Sequence, residues 1–228
     1  MKRDELRTYQ TDLVVVASNH NPTILNPDFL VRNRIIGDDW DWKLADDPIA
    51  TPVFARVSYE SGFSITAQPE RVVFSETDID RIPDKSPLGE VAAAFVETLP
   101  HVTYKAVGVN PKACLPFRDE GEARAFISER FFKEGPWLEY GQLQGNSMKL
   151  VFDLSEGMFL LSIDTGQADS KEAGALEGVI LQGNVHHDVT GTNPDAVIPT
   201  LREAIQNWRR DYELFMSFLR NELLGELE

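Results

Sequence analysis

Ile198, Leu201, Ile205, Trp208, Tyr212, Phe215 and Leu219 alternate steps of three and four residues, the spacing that lines apolar side chains along one seam of a helix. Such a helix needs an apolar surface to receive its seam, so the rest of the chain must supply one. Proline in a helix interior removes a hydrogen bond and crowds the preceding turn. Pro199 therefore predicts a break near Ile198 and a continuous helix from about Pro199 to Leu224. Because Leu214, Met216, Phe218, Leu223 and Leu224 lie off the seam, two uses of the helix stand side by side. It packs across a sheet as core, or Leu201, Trp208, Tyr212, Phe215 and Leu219 also meet a second chain as a dimer helix.

The surface to receive it reads as β-structure. Leu13 to Ala17 is a short, β-branched apolar run, expected to be a strand buried on both faces and ending in the turn Ser18-Asn19-His20-Asn21-Pro22. Asn26-Pro27-Asp28 then sets an N-cap before a proline suited to a first helical turn. Val53–Tyr59 and Phe63–Ala67 flank Glu60-Ser61-Gly62 with apolar/polar alternation, a hairpin signal, and Arg71–Ser75 follows as another strand. After Ser86-Pro87, residues Leu88, Val91, Ala92, Phe95 and Leu99 share one helical face, and Pro100 stops that helix.

From Val102 the order of elements begins again. A strand over Val102–Val109 ends at Asn110-Pro111, much as the first strand runs into Asn21-Pro22; a helix over Glu122–Phe132, a hairpin over Met148–Ile163 and a strand over Gly178–Val185 follow. The chain thus reads as α+β, one compact unit over residues 1–228 whose halves, 11–100 and 101–226, each run β-α-β-β-β-α. Joined, the halves would form a continuous antiparallel sheet with the long helices on one face. This resembles the duplicated, saddle-shaped layout of the TATA-box-binding protein. The resemblance is of layout alone, and its DNA binding is not carried over.

Composition argues against nucleic acid as a partner. Among 228 residues, 22 Lys and Arg face 37 Asp and Glu, a net charge of −15, which repels phosphate backbones and anionic lipid. The densest basic cluster, Arg202, Arg209 and Arg210, is diluted by Glu203 and Asp211. Cys114 is the sole cysteine, so no intrachain disulfide or all-cysteine zinc site can form, and a reducing compartment fits. The apolar run at 13–17 is too short for a signal-peptide core, and no stretch approaches the roughly 20 apolar residues that span a bilayer. A cytoplasmic protein without membrane attachment is expected.

The standard phosphate-binding, dinucleotide-binding, serine-hydrolase and zinc-protease motifs are absent from the sequence, and no cofactor is assigned. His186-His187-Asp188 is the most suggestive local cluster. On a strand, His186 and Asp188 would point to one face while His187 points away, and a ligand or metal site built on that pair would need a distant partner such as His20. Asp38, Asp39, Trp40, Asp41 and Trp42 join carboxylates and indoles in one loop. The spacing fails the calcium-loop pattern, since Ala50 stands where its bidentate Glu belongs. Indoles beside carboxylates suit recognition of a basic protein, or else fold back to cover the sheet. Cys114, expected in a turn, has only Lys112 nearby to activate it and reads as a bystander thiol.

The expectation is a non-enzymatic protein-interaction or assembly protein, with a protein partner or a second copy of itself as what it binds. Two alternatives are a small-molecule-binding protein or enzyme using His186 and Asp188, and an acidic mimic of nucleic acid that occupies a basic protein.

Overall fold

The computed structural model describes every residue except 1–4, 38, 79–81, 142, 156, 171–173, 190, 192 and 226–228. The chain is α+β. Its strands, β1 (Arg7–Ser18), β2 (Ile49–Ala50), β3 (Ala55–Ser58), β4 (Phe63–Gln68), β5 (Arg71–Glu76), β6 (Thr103–Pro116), β7 (Ser147–Leu154), β8 (Gly157–Ser170) and β9 (Gly174–Asp188), form a single sheet. Every pairing in it is antiparallel, in the order β2-β3-β4-β5-β1-β6-β9-β8-β7. The helices are α1 (Pro27–Arg32), α2 (Leu88–Thr98), α3 (Glu120–Phe131), α4 (Pro194–Gln206) and α5 (Trp208–Ser217), the last running into a wider π-type turn at Phe218–Leu223.

The central pair is β1 and β6, and from it each half of the chain extends outward, β5-β4-β3 on one side and β9-β8-β7 on the other. This order is consistent with the duplicated layout. The two Asn-Pro steps, however, do not correspond. Asn21 caps a short turn after β1, its side chain accepting from the Thr23 amide, whereas Asn110 and Pro111 lie inside β6. Pro111 has no N–H to donate, yet the register across it holds, with Val109 opposite Val185 and Lys112 opposite Gln182. The ladder loses one rung and the strand continues.

The long helices lie on one face. α2 packs on β1 and β5, α3 on β8 and β9, α4 on β6, and α5 on β6 and β9. Alternation decides which side chains they cover. Leu13, Val15, Val107, Val109, Leu181 and Val185 point under the helices and are fully or almost fully buried. Val14 and Val16 point to the other face and are only half-buried, so the apolar run of β1 is buried on one face, not both. The uncovered face carries a separate small cluster of Cys114, Ala168 and Ile180, with Tyr9 and Leu176 against it. Cys114 thus sits within β6 instead of in a turn, and burial pushes its thiol up to about 11.

The C-terminal helix also departs from expectation. α4 starts at Pro194, capped by Asn193, and takes Pro199 into its interior; the break comes at Asn207. Leu201, Ile205, Trp208, Phe215 and Leu219 have no exposed surface and Tyr212 only 6%, so these seam residues pack as core within one chain. Among the described residues no helix is long and apolar enough to cross a membrane.

β9 and α5 approach closely where Gly183 faces Phe215. A Cβ on Gly183 would lie 2.5 Å from Phe215 Cδ2. Gly183→Ala should therefore cost about 1–3 kcal/mol through overpacking, read as a lower urea midpoint; an unchanged midpoint would show that Phe215 yields freely.

Candidate functional site

The loop at residues 39–48 does not stand out into solvent as a whole. Trp42 is held by Tyr59 and Phe63, each ring centroid 5.0 Å from its own, and Trp40 rests on Trp42 at 4.8 Å. Both indoles are partly buried against the main core. A backbone hydrogen bond from Ala45 to Ser58 and another from Glu60 to Lys43 tie the loop to the C-terminal end of β3. Gly37 lets the segment close, because a Cβ there would lie 2.8 Å from Trp40 Nε1 and 2.6 Å from an Asp39 carboxylate oxygen. Asp39, Asp41, Asp46 and Asp47 remain exposed. Asp38 lies outside the described residues.

Trp40 and Trp42 form one wall of a hollow of about 540 Å³. Asp84, Lys85, Ser86 and Pro87 form the facing wall, with Glu90 from the first turn of α2 and Arg209 from α5. That wall is fixed by Arg209, whose guanidinium donates to the carbonyls of Pro83 at 3.0 Å, Asp84 at 3.3 Å and Ser86 at 3.2 Å while lying 4.9 Å from the centre of the Trp208 ring. Ser86 in turn donates to the buried carboxylate of Glu76 at 3.4 Å. The result is an aromatic wall facing a mixed polar one. Arg209 already spends donors on backbone oxygen, and the loop beside the indoles adds exposed carboxylates.

The histidines separate. His186 and Asp188 do meet on the uncovered face, Nε2 to Oδ1 at 3.1 Å, but the carboxylate side chain is 77% exposed. His20 lies on the helix face, buried with Phe95 and Tyr104 at centroid distances of 6.3 and 6.0 Å. The fold therefore does not bring His20 to His186 and Asp188, and among the described residues no three His, Cys, Asp or Glu side chains are grouped to hold a metal. His187, pointing under the helices, contacts buried Asp211 of α5 at 2.7 Å. Sequence reasoning missed this pair because its members lie 24 positions apart and only the packing of α5 on β9 joins them.

The uncovered face has its own polar centre. Lys112 meets Asp12 at 2.9 Å, Gln10 donates to the same carboxylate at 2.6 Å, and Asn184 donates to Asn110 at 2.7 Å. These groups satisfy one another across β1, β6 and β9 in the middle of the uncovered face.

No protein-family model and no curated protein matches this chain.

Burial holds the His20 imidazole down to about 4. The unfolded chain, with an ordinary histidine near 6.5, therefore binds a proton that the native state refuses. Stability contributed by neutral His20 is complete above about pH 6.5 and falls as pH drops toward 4. In His20→Phe that component should vanish, so the variant's stability relative to wild type should rise by up to about 3 kcal/mol between pH 7 and pH 4. Urea unfolding at several pH values checks this; a constant difference would refute it.

Proposed function

We propose that this protein is a non-enzymatic interaction protein that grips a basic segment of a partner protein in the hollow beside Trp40 and Trp42. The observation that carries the reading is one cavity that joins two anchored indoles to Asp84 and Glu90, with the exposed carboxylates of Asp39, Asp41, Asp46 and Asp47 on the loop that bears the indoles. A guanidinium or ammonium is attracted to an indole face, and aromatic anchors in partly desolvated pockets dominate the energetics of protein interfaces. Trp42 is fixed by Tyr59 and Phe63, so little side-chain entropy remains to be lost on binding. Asp39, Asp41, Asp46 and Asp47 would draw a cationic segment toward the indoles and repel an acidic one. The net charge of −15 acts in the same direction over longer range. We place the protein in the cytoplasm, because its lone cysteine is buried and unpaired, as suits a reducing compartment.

Isothermal titration with an arginine-glycine peptide and a glutamate-glycine peptide of equal length tests the reading. The basic peptide should bind, more weakly as salt is raised, and the acidic one should not. Trp40→Ala should weaken binding by about tenfold or more. Equal behaviour of the two peptides, or an unchanged affinity in Trp40→Ala, would overturn the assignment.

A further inference from the structure

The two ends of the sheet are finished differently. At one end β2 is two residues long, with Pro48 directly before it and Pro52 just after, devices that blunt an edge against further pairing. At the other end β7 runs for eight residues without proline or glycine, paired with β8 in an unbroken register from Ser147–Asp164 to Leu154–Gly157. No bulge twists it away. Among the described residues its only strand neighbour is β8, and no backbone hydrogen bond reaches its other side.

The side chains of β7 alternate in the same way as its exposure. Lys149, Val151 and Asp153 lie on the uncovered face of the sheet and are exposed, Val151 at 60%. Met148, Leu150, Phe152 and Leu154 lie on the helix face, half-buried against the core. Phe152 stacks on Phe159 and meets Phe218 at a tilt.

We infer that β7 pairs antiparallel with β7 of a second copy of this chain, about a two-fold axis through Val151. In that register Val151 faces Val151 of the partner subunit. Lys149 faces the partner's Asp153, and Asp153 faces the partner's Lys149, so the axis generates both ion pairs on one face. On the other face Leu150 lies opposite the partner's Phe152, and Met148 opposite the partner's Leu154, extending the half-buried apolar row across the junction. A slip of one residue would set Lys149 against Phe152, and a slip of two would set it against Val151 or Ser155, so this register alone matches charge with charge and apolar with apolar. Such an isologous contact closes as a dimer and leaves no free β7 edge. The β7 pairing does not depend on the indole hollow, which lies with β3 and β4 toward the other end of the sheet.

Sedimentation equilibrium of the full chain and its charge variants tests this. Wild type should weigh twice 25.7 kDa. Lys149→Asp or Asp153→Lys alone turns both symmetric attractions into repulsions and should weaken the dimer by roughly ten- to a hundredfold. An equimolar mixture of the two single variants should associate as a heterodimer, because each position then meets the opposite charge, and the double variant Lys149→Asp/Asp153→Lys should recover the homodimer. Three results would each overturn the inference. These are a wild type that stays monomeric at high micromolar concentration, single variants that both dimerise as wild type does, and a double variant that fails to recover what the single variants lose. Trp40→Ala should leave the dimer intact, so loss of peptide binding and loss of dimer report separately.

Discussion

The antiparallel pairing of β1 with β6 brings Val15 beside Val107 and Leu13 beside Val109, joining segments far apart in sequence along the midline of the sheet. α2, α4 and α5 all pack on these two strands or their immediate neighbours. The apolar faces of α2, α4 and α5 therefore depend on a contact that closes a long loop, whose entropic cost must be met before these helices gain anything by docking. The local hairpins β4–β5 and β7–β8 need no such closure. The central pair is where the chain becomes one unit, and the indole hollow, which takes residues from α2 and α5 as well as the 39–48 loop, exists only once that has happened.

What could be read in the sequence follows from this division between local and distant contacts. The β3–β4 hairpin and the α2 face were legible because their signals, period two with Gly62 at the turn and period 3.6 ending at Pro100, are written within short stretches of chain. The continuation of β6 through Asn110 and Pro111 was not, since a proline can sit within a strand only when its neighbours on both sides keep register, and Thr11 and Gly183 belong to distant segments. The helix break at Asn207 escaped for a similar reason. Pro199 is carried inside α4, which forgoes the hydrogen bond its N–H would make, while the bend at Asn207 lets Trp208 turn under Gly89, where a Cβ would lie only 2.8 Å from the ring.

The candidate site was half legible. Indoles among carboxylates could be seen in the sequence, but not the wall that faces them. That wall depends on Arg209 reaching three carbonyls in the segment before α2, a contact across more than half the chain. The core and partner readings of Trp40 and Trp42 also prove compatible in geometry, since Trp42 packs on Phe63 with the same ring that lines the hollow.

A net charge of −15 sets opposite requirements for a basic partner and for a second copy. Attraction to a cationic segment grows with the total charge, and so does repulsion between identical chains. Screening confines that repulsion to about 8 Å at physiological ionic strength, so copies can associate only through a contact that is locally neutral and remote from the acidic loop. β7 meets both conditions. It carries one lysine and one aspartate, and it lies at the far end of the sheet from β3, the strand to which the acidic loop is tied. The same separation leaves the indole hollow uncovered by a β7-paired contact, so a basic partner and a second copy would not compete for one surface.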